Sequence, residues 1–169
     1  EVIEIIARVK RDLALPESIK LVLITNGSLI NRKTVQEGIA RMASLNGEVW
    51  FKFDSALAQR RLQINNTSIS NTTILRHLQL SASLCPTWIQ TCVFKIDGEP
   101  VSGEEIDAYL NFLRTALQQG IKLQGILLYG LARPSLQAES SRLSNVTEDW
   151  IEKFADVIRS LNIEVKVHP

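Results

Sequence analysis

A lysine and an aspartate stand two residues apart in VWFKFD, residues 49–54, a run otherwise built of large apolar side chains. Side chains alternate along a strand, so Trp50, Lys52 and Asp54 share one face and Val49, Phe51 and Phe53 the other. An ionised group costs too much to bury unless it is paired, hydrated or in use. Lys52 and Asp54 therefore either neutralise each other at a sheet rim or hold a polar ligand there. Thiol and imidazole chemistry have less to work with. Cys85 and Cys92 are separated by six residues, and Cys92 reads as a small buried hydrophobe. The two histidines, His77 and His168, give a histidine metal site or a Ser–His–Asp triad almost nothing to build on. His77 follows Arg76 in a helical stretch and reads as a surface residue. Gly27 stands alone after Asn26, with no GxGxxG or GxxxxGK(S/T) pattern, so the phosphate-loop chemistries are out. Asn26-Gly27 is equally compatible with a plain turn.

The elements that position these residues alternate regularly. A helix over the first 13 residues is followed by the strand KLVLITNG. A helix from about Arg32 to Leu45 stops at Asn46-Gly47 and leads into EVWFKFD. Two helical pieces, near 55–63 and 70–80, precede a third strand, PTWIQTCVF. The clearest helix then runs to Gly120, with Ser102 as its cap and Glu105 completing a capping box. KLQGILLYG, a helix from Thr147 to about Leu161, and IEVKV end the series. The order predicts one α/β domain over residues 1–169 with a five-strand parallel sheet. It forms either a partial TIM-like (β/α) barrel or an open doubly wound sheet.

Composition excludes several function classes. The chain of 169 residues is 45% hydrophobic and 22% charged, as ordinary globular domains are. A net charge of +1 without a dense basic run argues against a nucleic-acid surface. No apolar run is long enough to span a membrane. The opening EVIEIIARVKRDL lacks the layout of a signal peptide, and two cysteines suit a reducing cytoplasm.

Each strand becomes polar toward its C-terminal end: Thr25-Asn26-Gly27, Lys52-Phe53-Asp54, Gln90 with Cys92, and Tyr129 before Arg133. Ligands of parallel α/β folds bind at that edge. A barrel arc accounts for the charges best, because Trp50, Lys52, Asp54, Trp88, Gln90 and Cys92 then face a lumen while their neighbours face helices.

LITNGSLIN, EVWFKFDSA, CPTWIQTCVFKIDGEP and ILLYGLARP, in that order, resemble the C-terminal part of a radical S-adenosylmethionine (radical SAM) protein of a bacterial branch. The resemblance covers nearly the whole chain. It implies a (β/α) barrel, a [4Fe–4S] cluster held by a CxxxCxxC loop, and S-adenosylmethionine cleaved to a radical that takes a hydrogen atom from substrate. The CxxxCxxC loop and the glycine-rich GGE-like strand are not in this sequence. By the resemblance, Asn26, Lys52 and Asp54 face the cofactor, and Gln90, Tyr129 and Arg133 face the substrate. No catalytic residue or metal ligand is assigned. The expectation is a barrel portion that binds no cluster alone and needs its N-terminal part in cis or in trans. Otherwise it self-associates, as a dimer covering the LVLITNG edge and the exposed Trp50 and Trp88. The alternative is a non-catalytic α/β binding module, a degenerate paralogue.

Overall fold

The structure is a computed structural model that describes residues 1–133, 136 and 138–168. Helix α1 (Val2–Asp12) precedes strand β1 (Leu21–Thr25), and α2 (Lys33–Ala43) leads to β2 (Gly47–Lys52). Helices α3 (Ala58–Asn65) and α4 (Asn71–Leu84) separate β2 from β3 (Thr87–Cys92). A short strand β4 (Lys95–Ile96) comes before α5 (Gly103–Gln118) and β5 (Gly125–Tyr129). A 3-10 turn, a short β6 (Leu143–Ser144), α6 (Glu148–Arg159) and β7 (Val165–His168) complete the order.

The main sheet has the order β1-β2-β3-β5-β7 with every pair parallel. The strands lie side by side in sequence order, with no reversal. Right-handed crossovers then put every connecting helix on the same side. The result is a singly wound arc, as in a segment of a barrel, and not the doubly wound alternative; among the described residues no closed barrel forms.

One strand face carries the core. Val49, Phe51 and Phe53, Ile89 and Val93, and Ile126 and Leu128 pack against Met42, Leu78, Leu113 and Ile158 from the four helices α2, α4, α5 and α6. Phe53 stacks on Phe112, with ring centroids 4.0 Å apart, and that contact locks the end of β2 against α5. The capping box of α5 is present: the Ser102 hydroxyl accepts from the Glu105 N–H at 3.2 Å, and the Glu105 carboxylate accepts from the Ser102 N–H. Such a cap stabilises a helix by about 1 kcal/mol.

Among the described residues, no helix covers the opposite face, with Ile24, Trp50, Lys52, Gln90, Cys92 and Tyr129. Its floor closes differently from the expectation. Trp50 is half-buried, but Trp88 is only 5% exposed. The Lys166 ammonium sits 4.2 Å from the Trp88 ring centroid. Beneath the ring lies Gly125, at φ +151°, where a Cβ would come within 2.7 Å of the indole. The buried Glu48 accepts from the Trp50 indole N–H at 2.8 Å and from Lys20. Burial pushes its carboxyl up, but Lys20 and the indoles of Trp50 and Trp88 outweigh that and hold it below the usual range. The open face is thus sealed at its N-terminal end by paired charges and indoles. Exposed apolar side chains include Val22 and Ile24 on the β1 edge and Val2, Ile5 and Val9 on α1.

His77 departs from its surface assignment: it is 4% exposed, on the inner side of α4. Its Nε2 lies 2.9 Å from the Asn31 amide nitrogen, which donates to the neutral ring. Burial, then the nearby Arg76, lowers its pKa from 6.5. The unfolded chain therefore takes up this proton first, so the stability is complete above about pH 6.5 and is lost as pH falls through the folded value. Thermal unfolding between pH 7.5 and 5 is expected to show a steeper loss for the wild type than for His77→Gln. Equal slopes would rule out His77 as the titrating group.

Candidate functional site at the strand C-terminal edge

Asp54 is the hub of a polar network at the C-terminal end of β2. Phe53 continues the extended backbone past the strand, donating its N–H to the Gln90 carbonyl at 2.9 Å, and this aims Asp54 at β3. One Asp54 oxygen accepts from the Cys92 backbone N–H at 3.0 Å, and the other from the Asn65 amide at 2.8 Å. The Lys52 ammonium lies 3.1 Å from the carboxylate and donates to the Tyr129 hydroxyl at 3.3 Å. The Asp54 side chain is 4% exposed and that of Lys52 36%. Burial works against the Lys52 charge, but Asp54 and Tyr129 outweigh it and raise the ammonium above the usual lysine value. Burial also raises the Tyr129 phenol, against the opposing pull of Lys52. At neutral pH Lys52 is therefore an ammonium and Tyr129 a neutral phenol, beside the buried Asp54 side chain. Such a set binds and orients polar groups.

Not every residue named from the sequence joins this network. Lys52, Asp54 and Tyr129 do. Gln90 stands beside Lys52 in register on the same face. Asn26 is exposed and spends its side-chain oxygen on the Ser28 N–H at 3.1 Å, so the turn reading holds, but it also lines the neighbouring cavity. The turn needs its glycine: Gly27 has φ +73°, and a Cβ there would come within 2.5 Å of the Phe51 ring. Arg133 is exposed on the loop after β5, outside the network.

Three participants escape a reading of the sequence. Asn65 closes the network from the end of α3, and the Cys92 contribution is a backbone N–H. Arg61, 3% exposed, lines a cavity of about 160 Å³ beside the network with Asn26, Lys52, Asp54, Asn65 and Thr67. Nothing in the Arg60-Arg61 pair marks which one turns inward.

An iron–sulfur cluster does not fit these residues. Cys85 lies at the foot of β3, where its thiol donates to the Gly47 carbonyl at 3.3 Å, and is buried in the helix-side core. Cys92 lies at the other end of β3 on the open face, roughly 20 Å away at about 3.3 Å per residue. Burial pushes both thiols up to about 11. Clusters need thiolates. Among the described residues no group of three or more His, Cys, Asp or Glu side chains could hold a metal. Nor is any helix among them long and apolar enough to cross a membrane.

A domain of a pyruvate-formate lyase-activating enzyme from Bacteroides vulgatus superposes with a TM-score of 0.64 at 15% identity, over 98% of this chain and 88% of that one. A radical SAM methyltransferase from Sphaerobacter thermophilus superposes with a TM-score of 0.60 at 13% identity, over 87% of this chain. The fold is shared with both of these proteins. This chain spans 40% of that methyltransferase's length. No protein-family model matches the sequence, and no curated protein does either.

Proposed function

We propose that this chain is the part of a radical SAM protein that presents the C-terminal strand ends to cofactor and substrate. The observation that carries the proposal is the Lys52–Asp54–Tyr129 network, placed on the uncovered face of a sequentially ordered parallel arc. When bound in a complete protein of this kind, S-adenosylmethionine and a [4Fe–4S] cluster supply hydrogen-atom abstraction. The residues here bind and position. Asp54 and Tyr129 hold the Lys52 ammonium in place beside the cavity, and Asn26 and Asn65 border the same space. Gln90 and Tyr129, on the same face, are suited to substrate contacts. No side chain of this chain is assigned as catalyst.

In this proposal the cluster-bearing part of the barrel comes from elsewhere, in cis or in trans, and covers β1. The β1 edge supports that reading, since Val22, at 37%, and Ile24, at 55% exposure, face solvent beside unpaired backbone groups. A second copy covering the same edge is the form expected when that part is absent.

Anaerobic reconstitution with iron and sulfide tests the proposal on the chain itself. The expected result is no stoichiometric iron uptake, together with binding of S-adenosylmethionine that weakens about tenfold in Lys52→Met, as for loss of one charged hydrogen bond. A stoichiometric cluster held by Cys85 and Cys92 would overturn the assignment. So would coding sequence upstream of Glu1, and neighbouring genes, without any CxxxCxxC segment; that outcome would favour a non-catalytic binding module.

A further inference from the structure

Arg61 carries a charge that the fold does not neutralise. It is 3% exposed, yet among the described residues no carboxylate lies within ion-pair distance of it. Its guanidinium donates to two backbone carbonyls, Ser55 at 3.0 Å and Ile69 at 2.8 Å, while its Nε–H has no partner. The acids nearest in the fold are already committed. Both Asp54 oxygens are occupied by Lys52, Cys92 and Asn65, and Glu105 pairs with Arg60 at 3.0 Å. Burial alone pulls the Arg61 pKa down, with no anion opposing it.

Taking a cation out of water without a counter-charge costs several kcal/mol, and carbonyl dipoles recover only part of that. Arg61 nevertheless opens onto the cavity of about 160 Å³ that Lys52, Asn65 and Thr67 also line. With one carboxylate and two cations, Arg61, Lys52 and Asp54 leave this space with one positive charge in excess.

We propose that Arg61 is an anion-recognition residue: it binds a carboxylate or phosphate group of a small ligand seated in this cavity. The space suits one such group. Lys52 and Thr67 also line it, and the side-chain oxygen of Asn65, whose amide nitrogen is taken by Asp54, suits a neighbouring hydroxyl or amino group of the ligand. The inference goes beyond the strand-end reading, in which Arg61 has no part, and it holds whether or not the protein performs radical chemistry.

The test uses inorganic phosphate and acetate as probes, each against sodium chloride at equal ionic strength and neutral pH. Calorimetric titration and thermal unfolding of the wild type are expected to show saturable binding and a raised melting temperature with at least one probe. The tighter probe identifies the oxyanion as phosphate or carboxylate. Arg61→Gln should weaken binding about tenfold or more, and Arg61→Lys less. In wild-type nitrogen-15 spectra the Arg61 Nε–H signal should shift along the same titration, a readout that stands even if Arg61→Gln fails to fold. No binding beyond the chloride control would overturn the proposal. An Arg61 signal that stays still, or binding unchanged in Arg61→Gln, would do the same and leave Arg61 as a tether of the α3–α4 connection. Loss of S-adenosylmethionine binding with oxyanion binding intact would sink only the radical SAM reading.

Discussion

Replacing Asp54 with alanine is expected to destabilise the chain by about 2–4 kcal/mol, toward the low side for breaking a buried ion pair. Four donor contacts meet on this one carboxylate: two from Lys52, one from the Asn65 amide and one from the Cys92 backbone N–H. Removal leaves a backbone N–H without its acceptor and an ammonium without its counter-ion. The full penalty is not reached because about a third of the Lys52 side chain, 36%, keeps water contact. Lys52→Met should cost less, about 1–2 kcal/mol, since Asp54 retains two amide donors. Urea unfolding of the two variants checks the order. If Asp54→Ala were as stable as the wild type, the network would be held by something other than this carboxylate. The comparison also separates two roles that the sequence leaves open. Lys52 is the residue whose loss should affect ligand binding more than folding, whereas Asp54 is part of the fold as well.

Phe53→Ala is expected to cost about 3–5 kcal/mol, the range for emptying a buried aromatic site. Phe53 is 3% exposed, stacks on Phe112 at 4.0 Å and lies 5.7 Å from the Tyr109 ring. The Tyr109 hydroxyl is 2.6 Å from the Thr91 hydroxyl, which donates to the Phe53 carbonyl at 3.0 Å, so ring and backbone are fixed from the same side. The cavity would open directly beneath the segment that carries Lys52 and Asp54. A lower urea midpoint should therefore come with a weakened grip on any ligand at the strand edge. Phe53→Leu fills most of the volume and should cost less than about 1.5–2 kcal/mol. A Phe53→Ala loss below about 1 kcal/mol would mean that α5 collapses onto β2 and fills the space.

The alternation of helices and strands was legible in the sequence because its signals are local. Periodicity, the Ser102–Glu105 capping box and the stops at Gly47 and Gly120 act within a turn or two of chain. The face assignment of β2 was legible for the same reason: strand alternation alone sends Phe51 and Phe53 one way and Lys52 and Asp54 the other. The partners on the open face were not. Asn65 reaches Asp54 from 11 residues away, and Tyr129 reaches Lys52 from 77 away. No local rule selects either one. The β4–β6 pairing of Lys95 with Ser144 is likewise too short and too distant to leave a pattern. Trp88 looked open on its strand, and only the docking of β7 brings Lys166 over its ring. His77 and Arg61 are the clearest cases. Their burial depends on how α3 and α4 pack over the strand ends, and polar residues on a helix carry no mark of which one turns inward. By itself the sequence determined the order of elements, a parallel sheet whose winding it left between two alternatives, and which edge is polar. The tertiary structure decided which charges meet at that edge and which one remains unmatched, because electrostatic balance in a buried site is set by every element that closes over it.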